Sequence, residues 1–362
     1  MSETYNRKKI LIFRIGHLGD TLVSLPAFWA IKNAFPDAHL TLLTNVNAKS
    51  ANYVVANSVL PEKGLIDDWL YYPTEMSKIG TALGFAKLWN EIRREKFDDL
   101  FYLMTRNRTP SQISRDERFF RSAGVKNIFG TDFLRHNIIE ETSIRPLAPV
   151  ESEAEFLLKS VAASGIAVNF NVKPDLLLSA AEKSFAENWL KENCGTAFTE
   201  KKLVAVAPGS KWESKIWAEE NYALVVSALI EKHGIFPVIF GGQEDRETGN
   251  RLLQKFGFGA NAAGELNIRQ AAAALANCRL YLGNDTGTMH LAAAVETPCV
   301  AVFAAIDRAG RWHPFGKNHA VFRETVECEG CYLPICPFQN KCLALIEPKR
   351  VWAACEAILR NV

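Results

Sequence analysis

The stretch ILIFRIGHLGDTLVSLPAFWAIKNAFPDAHLTLLT, residues 10–44, decides the fold. Ile10, Leu11, Ile12 and Phe13 form an unbroken apolar run, the pattern of a parallel strand buried on both faces. A turn with Gly16 and Gly19 follows, then apolar positions at helical spacing over 20–34, then a second apolar run, Leu40 to Leu43. Strand, helix and strand at these lengths make a βαβ unit. Its first turn sets a carboxylate, Asp20, where strand gives way to helix.

The alternation continues outward from that unit. Residues 99–104 read as strand, Pro110 to Ala123 as helix and Asn127 to Phe129 as a short strand. Helical patterns at 151–164 and 179–193 flank the polar, proline-containing NFNVKPDLLLS, where the inter-domain connection is expected. The chain is therefore divided into an N-terminal domain, 1–175, and a C-terminal domain, 176–362. In the second, KKLVAVAPGS restarts the pattern, followed by helix 218–232, strand 236–240, helices 245–256 and 267–276, strand 279–282, helix 287–295 and strand 299–303. Both halves read as doubly wound α/β sheets. Ligands of such sheets sit beyond the carboxyl ends of the strands, so the crevice between the halves is the expected site.

Composition narrows the classes. At 362 residues and 48% apolar content, the chain can bury two cores. Its 42 basic and 40 acidic side chains nearly cancel, unlike the one-signed field of a dedicated nucleic-acid binder. The first apolar run stops at Arg14, too soon for a signal peptide, and no run approaches the ~18 residues of a membrane span. These features point to the cytoplasm, where the eight cysteines are expected as thiols.

Three turns of the second half could hold a phosphorylated ligand, two by its phosphates and one by a ribose. YLGNDTGTMHLAAA, 281–294, places Asp285, Thr286, Gly287 and Thr288 between a strand and an alanine-rich helix. Asp285 or Thr286 can cap that helix while its first amides meet an anion; an ordinary turn, with His290 as a core residue, fits equally. VAPGSKWESKIWAEENY, 206–222, ends a strand at Ser210 and sets Lys211 and Lys215 beside Trp212 and Trp217. A lysine there suits a diphosphate leaving group; a solvated loop with tryptophans on the domain edge is the alternative. IFGGQEDRE, 239–247, offers Gln243 and Glu244 after a Gly-Gly turn, a place for a ribose diol. Neither G-x-G-x-x-G nor a Walker A motif occurs, which argues against dinucleotide and P-loop enzymes.

Taken in order, RIGHLGDTLVSLPAFWAIKNAFPDAHLTLLT, APGSKWESKIWAEENYALVV, FGGQED and NDTGTMHLAAAVETPCVAVF resemble the glycosyltransferase family 9 heptosyltransferases of bacterial lipopolysaccharide core synthesis. The resemblance implies a GT-B fold of two facing Rossmann-like domains, acceptor on the first and ADP-heptose on the second. It implies an inverting transfer, in which a base takes the acceptor proton, and Asp20 matches the family's catalytic aspartate. Gly16 and Gly19 would let the turn backbone approach the sugar. Ser210 and Lys215 match the phosphate-binding hydroxyl and lysine, and Asp285 the aspartate on the donor sugar. Thr286, Gly287 and Thr288 match the phosphate-binding turn, and His290 the motif histidine. Gln243 or Glu244 falls where an acidic ribose ligand is placed, and Leu266 would line the adenine pocket. No cofactor and no catalytic metal is implied. The partners implied are the nucleotide sugar and a glycolipid or glycan acceptor, with peripheral contact at the inner membrane surface.

Two features lie outside those motifs. CEGCYLPICPFQNKC places Cys328, Cys331, Cys336 and Cys342 at a spacing that suits structural thiols, a metal or a conditional disulfide. TRNRTPSQISRDERFFRSAG carries Arg106, Arg108, Arg115, Arg118 and Arg121, either for an anionic acceptor or as a solvated helix face. Two rival readings remain: a GT-B transferase with another nucleotide sugar or acceptor, and a binding protein without turnover.

Overall fold

A computed structural model describes residues 7–46, 54–73, 78–140, 142–200 and 202–361. In the first half β1 (Lys9–Phe13) leads into α1 (Leu18–Ala34) and β2 (His39–Asn45). Then come β3 (Asp68–Tyr72), α2 (Lys78–Glu95), β4 (Asp99–Tyr102), α3 (Pro110–Ser122), β5 (Asn127–Phe129), α4 (Thr131–His136) and α5 (Glu153–Ala162). All strand pairs are parallel, in the order β3-β2-β1-β4-β5. Ile12 of β1 lies between Leu42 of β2 and Phe101 of β4, and none of the three is more than 1% exposed. Apolar side chains on both faces make that run a central strand. α1 buries Leu22, Leu25, Phe28 and Ile31 and packs against α5. Each such side chain withdrawn from water contributes roughly 1.5–3 kcal/mol.

The second half runs through α6 (Ala180–Cys194), α7 (Thr196–Thr199), β6 (Leu203–Ala207), α8 (Glu219–His233), β7 (Phe236–Ile239), α9 (Arg246–Phe256) and β8 (Ala260–Asn261). It continues with α10 (Ile268–Leu275), β9 (Leu280–Asn284), α11 (Gly287–Ala294), β10 (Cys299–Phe303), β11 (Ala320–Arg323), α12 (Lys341–Ala344) and α13 (Pro348–Asn361). The sheet is again all parallel, ordered β11-β10-β9-β6-β7-β8. Both sheets therefore follow the Rossmann plan, and each reverses direction beside its first strand. That puts the ligand-accepting ends at the loops after β1 and β4 and at those after β6 and β9. Val204, Val206, Leu282, Val300 and Val302 fill the second core with Trp217 and Tyr222. Val351, Cys355 and Leu359, four residues apart, bury the inner face of α13, which packs on α8.

The chain separates into two compact units. The described residues of Met1–Glu141 with Glu153–Leu177 make one, and those of Thr142–Ser152 with Leu178–Val362 the other. The excursion at 142–152 has a local cause: Val150 N–H donates to Ala309 O at 2.9 Å and Arg145 Nε to Glu329 O at 2.8 Å. Among the described residues no helix is long and apolar enough to cross a membrane.

Candidate functional site

In the first unit the turn after β1 is built around Asp20. α1 starts at Leu18, earlier than the apolar spacing predicts, because His17 is its N-cap and Asp20 occupies the third helical position. Asp20 Oδ2 accepts the His17 N–H at 2.9 Å, satisfying a donor that a helix start leaves open. Its other oxygen lies 3.2 Å from the guanidinium of Arg14, which is 2% exposed and also donates to Leu103 O at 3.0 Å. Arg14 thereby ties the loop after β1 to the one after β4. Gly16 has φ +153°, and a Cβ there would stand 2.3 Å from Asp20 Cβ. Only glycine leaves room for the carboxylate. Asp20 is thus both a helix-start acceptor and a partly exposed carboxylate at the ligand end of the sheet.

In the second unit the loops after β6 and β9 are joined by two contacts. Lys215 Nζ lies 2.7 Å from Asp285 Oδ2, with the lysine partly exposed and the aspartate buried. Deeper, the Asn284 amide, fully buried, donates to Pro208 O at 2.7 Å and Gly209 O at 3.2 Å. Its oxygen accepts from Trp217 N–H at 3.1 Å and Tyr222 hydroxyl at 2.8 Å. Burial raises the Tyr222 pKa, which keeps that hydroxyl a neutral donor. Thr286 is the N-cap of α11 without a side-chain capping bond, and Gly287 and Thr288 begin the helix, partly exposed. Asp285 caps nothing: its carboxylate goes to Lys215. Ser210, half-buried, accepts the Trp212 N–H at 3.3 Å. His290 is buried in the first turn of α11.

The remaining predicted residues occupy the neighbouring loops. Gln243 and Glu244 are exposed after β7, and the Gln243 amide lies beside Gly264, on the turn that carries the half-buried Leu266. Sequence reading missed Asn284 and Asp245. Asp245 accepts the Gly242 N–H at 2.9 Å and crowds Gly209, where a Cβ would stand 1.7 Å from its Oδ1. Burial raises its pKa, opposed by that N–H and reinforced by the Glu244 charge. The pairing of Gly209 with the Gly241-Gly242 turn was the available signal, since two loops meeting a third side chain need room.

The arginines separate. Arg106 is buried, its Nε 3.4 Å from Glu153 and its guanidinium over Phe156. Arg108 and Arg115 pair with the buried Asp116, and Arg115, Arg118 and Arg121 are all exposed. Cys342 is buried and Cys328, Cys331 and Cys336 are half-buried. Burial raises the Cys328 and Cys342 pKa, reinforced by neighbouring cysteines. Among the described residues, no three or more His, Cys, Asp or Glu side chains are arranged to hold a metal ion.

Comparison with known proteins bears on both units. The structure resembles the glycosyl transferase family 9 protein of Veillonella parvula DSM 2008 with a TM-score of 0.73 at 19% identity, covering 100% of this chain and 99% of that one. It resembles the E. coli ADP-heptose lps heptosyltransferase II with a TM-score of 0.64 at 21% identity, over 98% and 99%. The fold is therefore of the two-sheet α/β, GT-B type. In sequence, 136 residues are 32% identical to lipopolysaccharide heptosyltransferase 2 of Escherichia coli (strain K12). They make up 36% of this chain and span only 37% of that relative's length. The model of glycosyltransferase family 9 (heptosyltransferase) matches residues 155–341, more than half of the chain. The match takes in the Lys215 loop, the Asp285 turn and Cys328, Cys331 and Cys336, and the chain accordingly belongs to glycosyltransferase family 9, the heptosyltransferase family.

Proposed function

We propose that the protein transfers a heptosyl group from ADP-heptose to a hydroxyl of a lipopolysaccharide core acceptor, with inversion at the anomeric carbon. The first unit takes the acceptor and the second the nucleotide sugar. The acceptor oxygen forms the new bond to the anomeric carbon as its proton passes to Asp20, and the bond from that carbon to the diphosphate breaks, releasing ADP. Lys215, the Ser210 hydroxyl and the Gly287 and Thr288 amides stabilise the charge that grows on the leaving diphosphate. Asp285 accepts hydroxyl donors of the donor sugar, and Gln243 or Glu244 those of the ribose, with Leu266 against adenine. Gly16 and Gly19 let the turn approach the acceptor.

One observation carries this reading. Lys215 and Asp285 pair at 2.7 Å across the point where the second sheet reverses direction, next to the uncapped start of α11. A cation, a carboxylate and open amides at that place suit a phosphorylated sugar. A thermal-shift panel of nucleotide sugars tests it: ADP-heptose raises Tm more than UDP- or GDP-sugars do. A larger shift with another nucleotide sugar would reassign the donor.

A further inference from the structure

Lys215 ends a single 3₁₀ turn, Glu213–Lys215, too short to hold its own shape. What fixes it comes from the four-cysteine loop. Ser214, 2% exposed, donates its N–H to Pro334 O at 3.0 Å and its hydroxyl to Leu333 O at 2.5 Å. From the other end of the loop, Asn340 Nδ2 donates to Glu213 O at 3.0 Å and to Ile216 O at 3.3 Å. The turn is clamped on both sides, and the loop is anchored in its turn by Cys342, whose Sγ accepts the Ala305 N–H at 3.4 Å in the core.

The loop's side chains are not what the fold uses. Leu333, Ile335 and Phe338 are 40%, 65% and 58% exposed, so this stretch contributes carbonyls and the Asn340 amide rather than packing. Asn340 has φ +52°, a left-handed backbone that asparagine tolerates. We propose that residues 333–340 brace the Lys215 turn, with Ser214 and Asn340 as positioning residues for donor binding. The proposal rests on Lys215 meeting the diphosphate, where a displacement of about 1 Å is enough to cost much of the contact.

The test is a double-mutant cycle read by calorimetry with ADP. Ser214→Ala and Asn340→Gly each weaken ADP binding about 3- to 10-fold, the worth of one or two hydrogen bonds acting on the lysine. Glycine keeps the left-handed backbone of residue 340, and Ser214→Ala keeps the backbone bond to Pro334, so a folded variant remains at one position if the other fails. In a Lys215→Ala background neither change weakens ADP further, since the group they position is gone. An unchanged ADP affinity in both single variants, with or without a fall in Tm, would overturn the brace. So would an equal loss with and without Lys215. If Lys215→Ala alone left ADP affinity unchanged, the phosphate reading itself would fall and the brace with it.

Discussion

The Lys215 ammonium lies 2.7 Å from the Asp285 carboxylate, joining the loop after β6 to the loop after β9. A diphosphate that takes Lys215 must share it with that carboxylate. Lys215→Ala therefore weakens ADP binding about 10-fold or more, as expected for a hydrogen bond to a charged group. Asp285→Asn removes a competing negative charge and leaves ADP affinity equal or higher, while transfer from ADP-heptose falls. Calorimetry on the two variants checks both signs, and a parallel loss of ADP binding would mean that the carboxylate holds Lys215 in place for the diphosphate rather than competing for it.

Asp20→Asn separates the two roles of that residue. The asparagine carbonyl still accepts the His17 N–H, so α1 keeps its start, but the proposed base and the pairing with Arg14 are lost. Transfer falls at least ~10²-fold with ADP affinity unchanged. Gly16→Ala gives a similar loss by another route, because its Cβ would stand 2.3 Å from Asp20 Cβ at a φ of +153°. Steady-state kinetics beside calorimetry reads both variants, and full activity in either one removes the turn from the mechanism.

Asn284 is the structural counterpart. Asn284→Ala strands the Trp217 N–H, the Tyr222 hydroxyl and the Pro208 carbonyl, all buried. At roughly 1–3 kcal/mol for each unpaired group, stability falls by at least ~3 kcal/mol. For a unit of this size Tm drops by about 6–12 °C. Differential scanning calorimetry checks this, and a drop of less than about 2 °C would mean the loops hold without the amide.

Acid weakens the second unit at His319. Burial lowers its pKa, its Nδ1 accepts the Cys299 N–H at 3.1 Å, and its other nitrogen lies 3.2 Å from Phe315 O. The folded form thus favours the neutral ring, and below about pH 6.5 the unfolded chain binds the extra proton. Stability falls as pH drops from about 6.5 toward the lowered folded value. His319→Gln keeps an acceptor and flattens that part of the Tm profile; an unchanged profile in the variant would assign it to other groups.

The fold was legible wherever one residue pattern had one structural meaning. The apolar runs at Ile10 to Phe13 and Cys299 to Phe303 are central strands, buried on both faces as unbroken hydrophobicity requires. Edge strands were harder to see. β11 is half-buried throughout and β3 mixes exposed and half-buried positions without alternating, so neither carries a strong pattern. α2 and α13 went unread because their apolar positions are diluted by charge, although the spacing of Val351, Cys355 and Leu359 was available.

The site divides the same way. Asp20, Lys215 and Asp285 stood out as charged groups on glycine-containing turns between strand and helix. Asn284 and Asp245 did not, since what they do is join loops distant in sequence: Asn284 reaches Pro208, and Asp245 crowds Gly209. Arg106 shows the converse, a residue chosen for its charge that is spent on Glu153 inside the first unit.

The most direct measurement is transfer itself. The purified protein is incubated with ADP-heptose and a heptose-deficient lipopolysaccharide core acceptor, and the acceptor is weighed by mass spectrometry beside an Asp20→Asn control. The account predicts one added heptosyl group, with ADP released in equal amount, and a rate at least ~10²-fold lower in the control. An acceptor left unmodified while ADP-heptose binds, or one modified equally fast by the control, would contradict it.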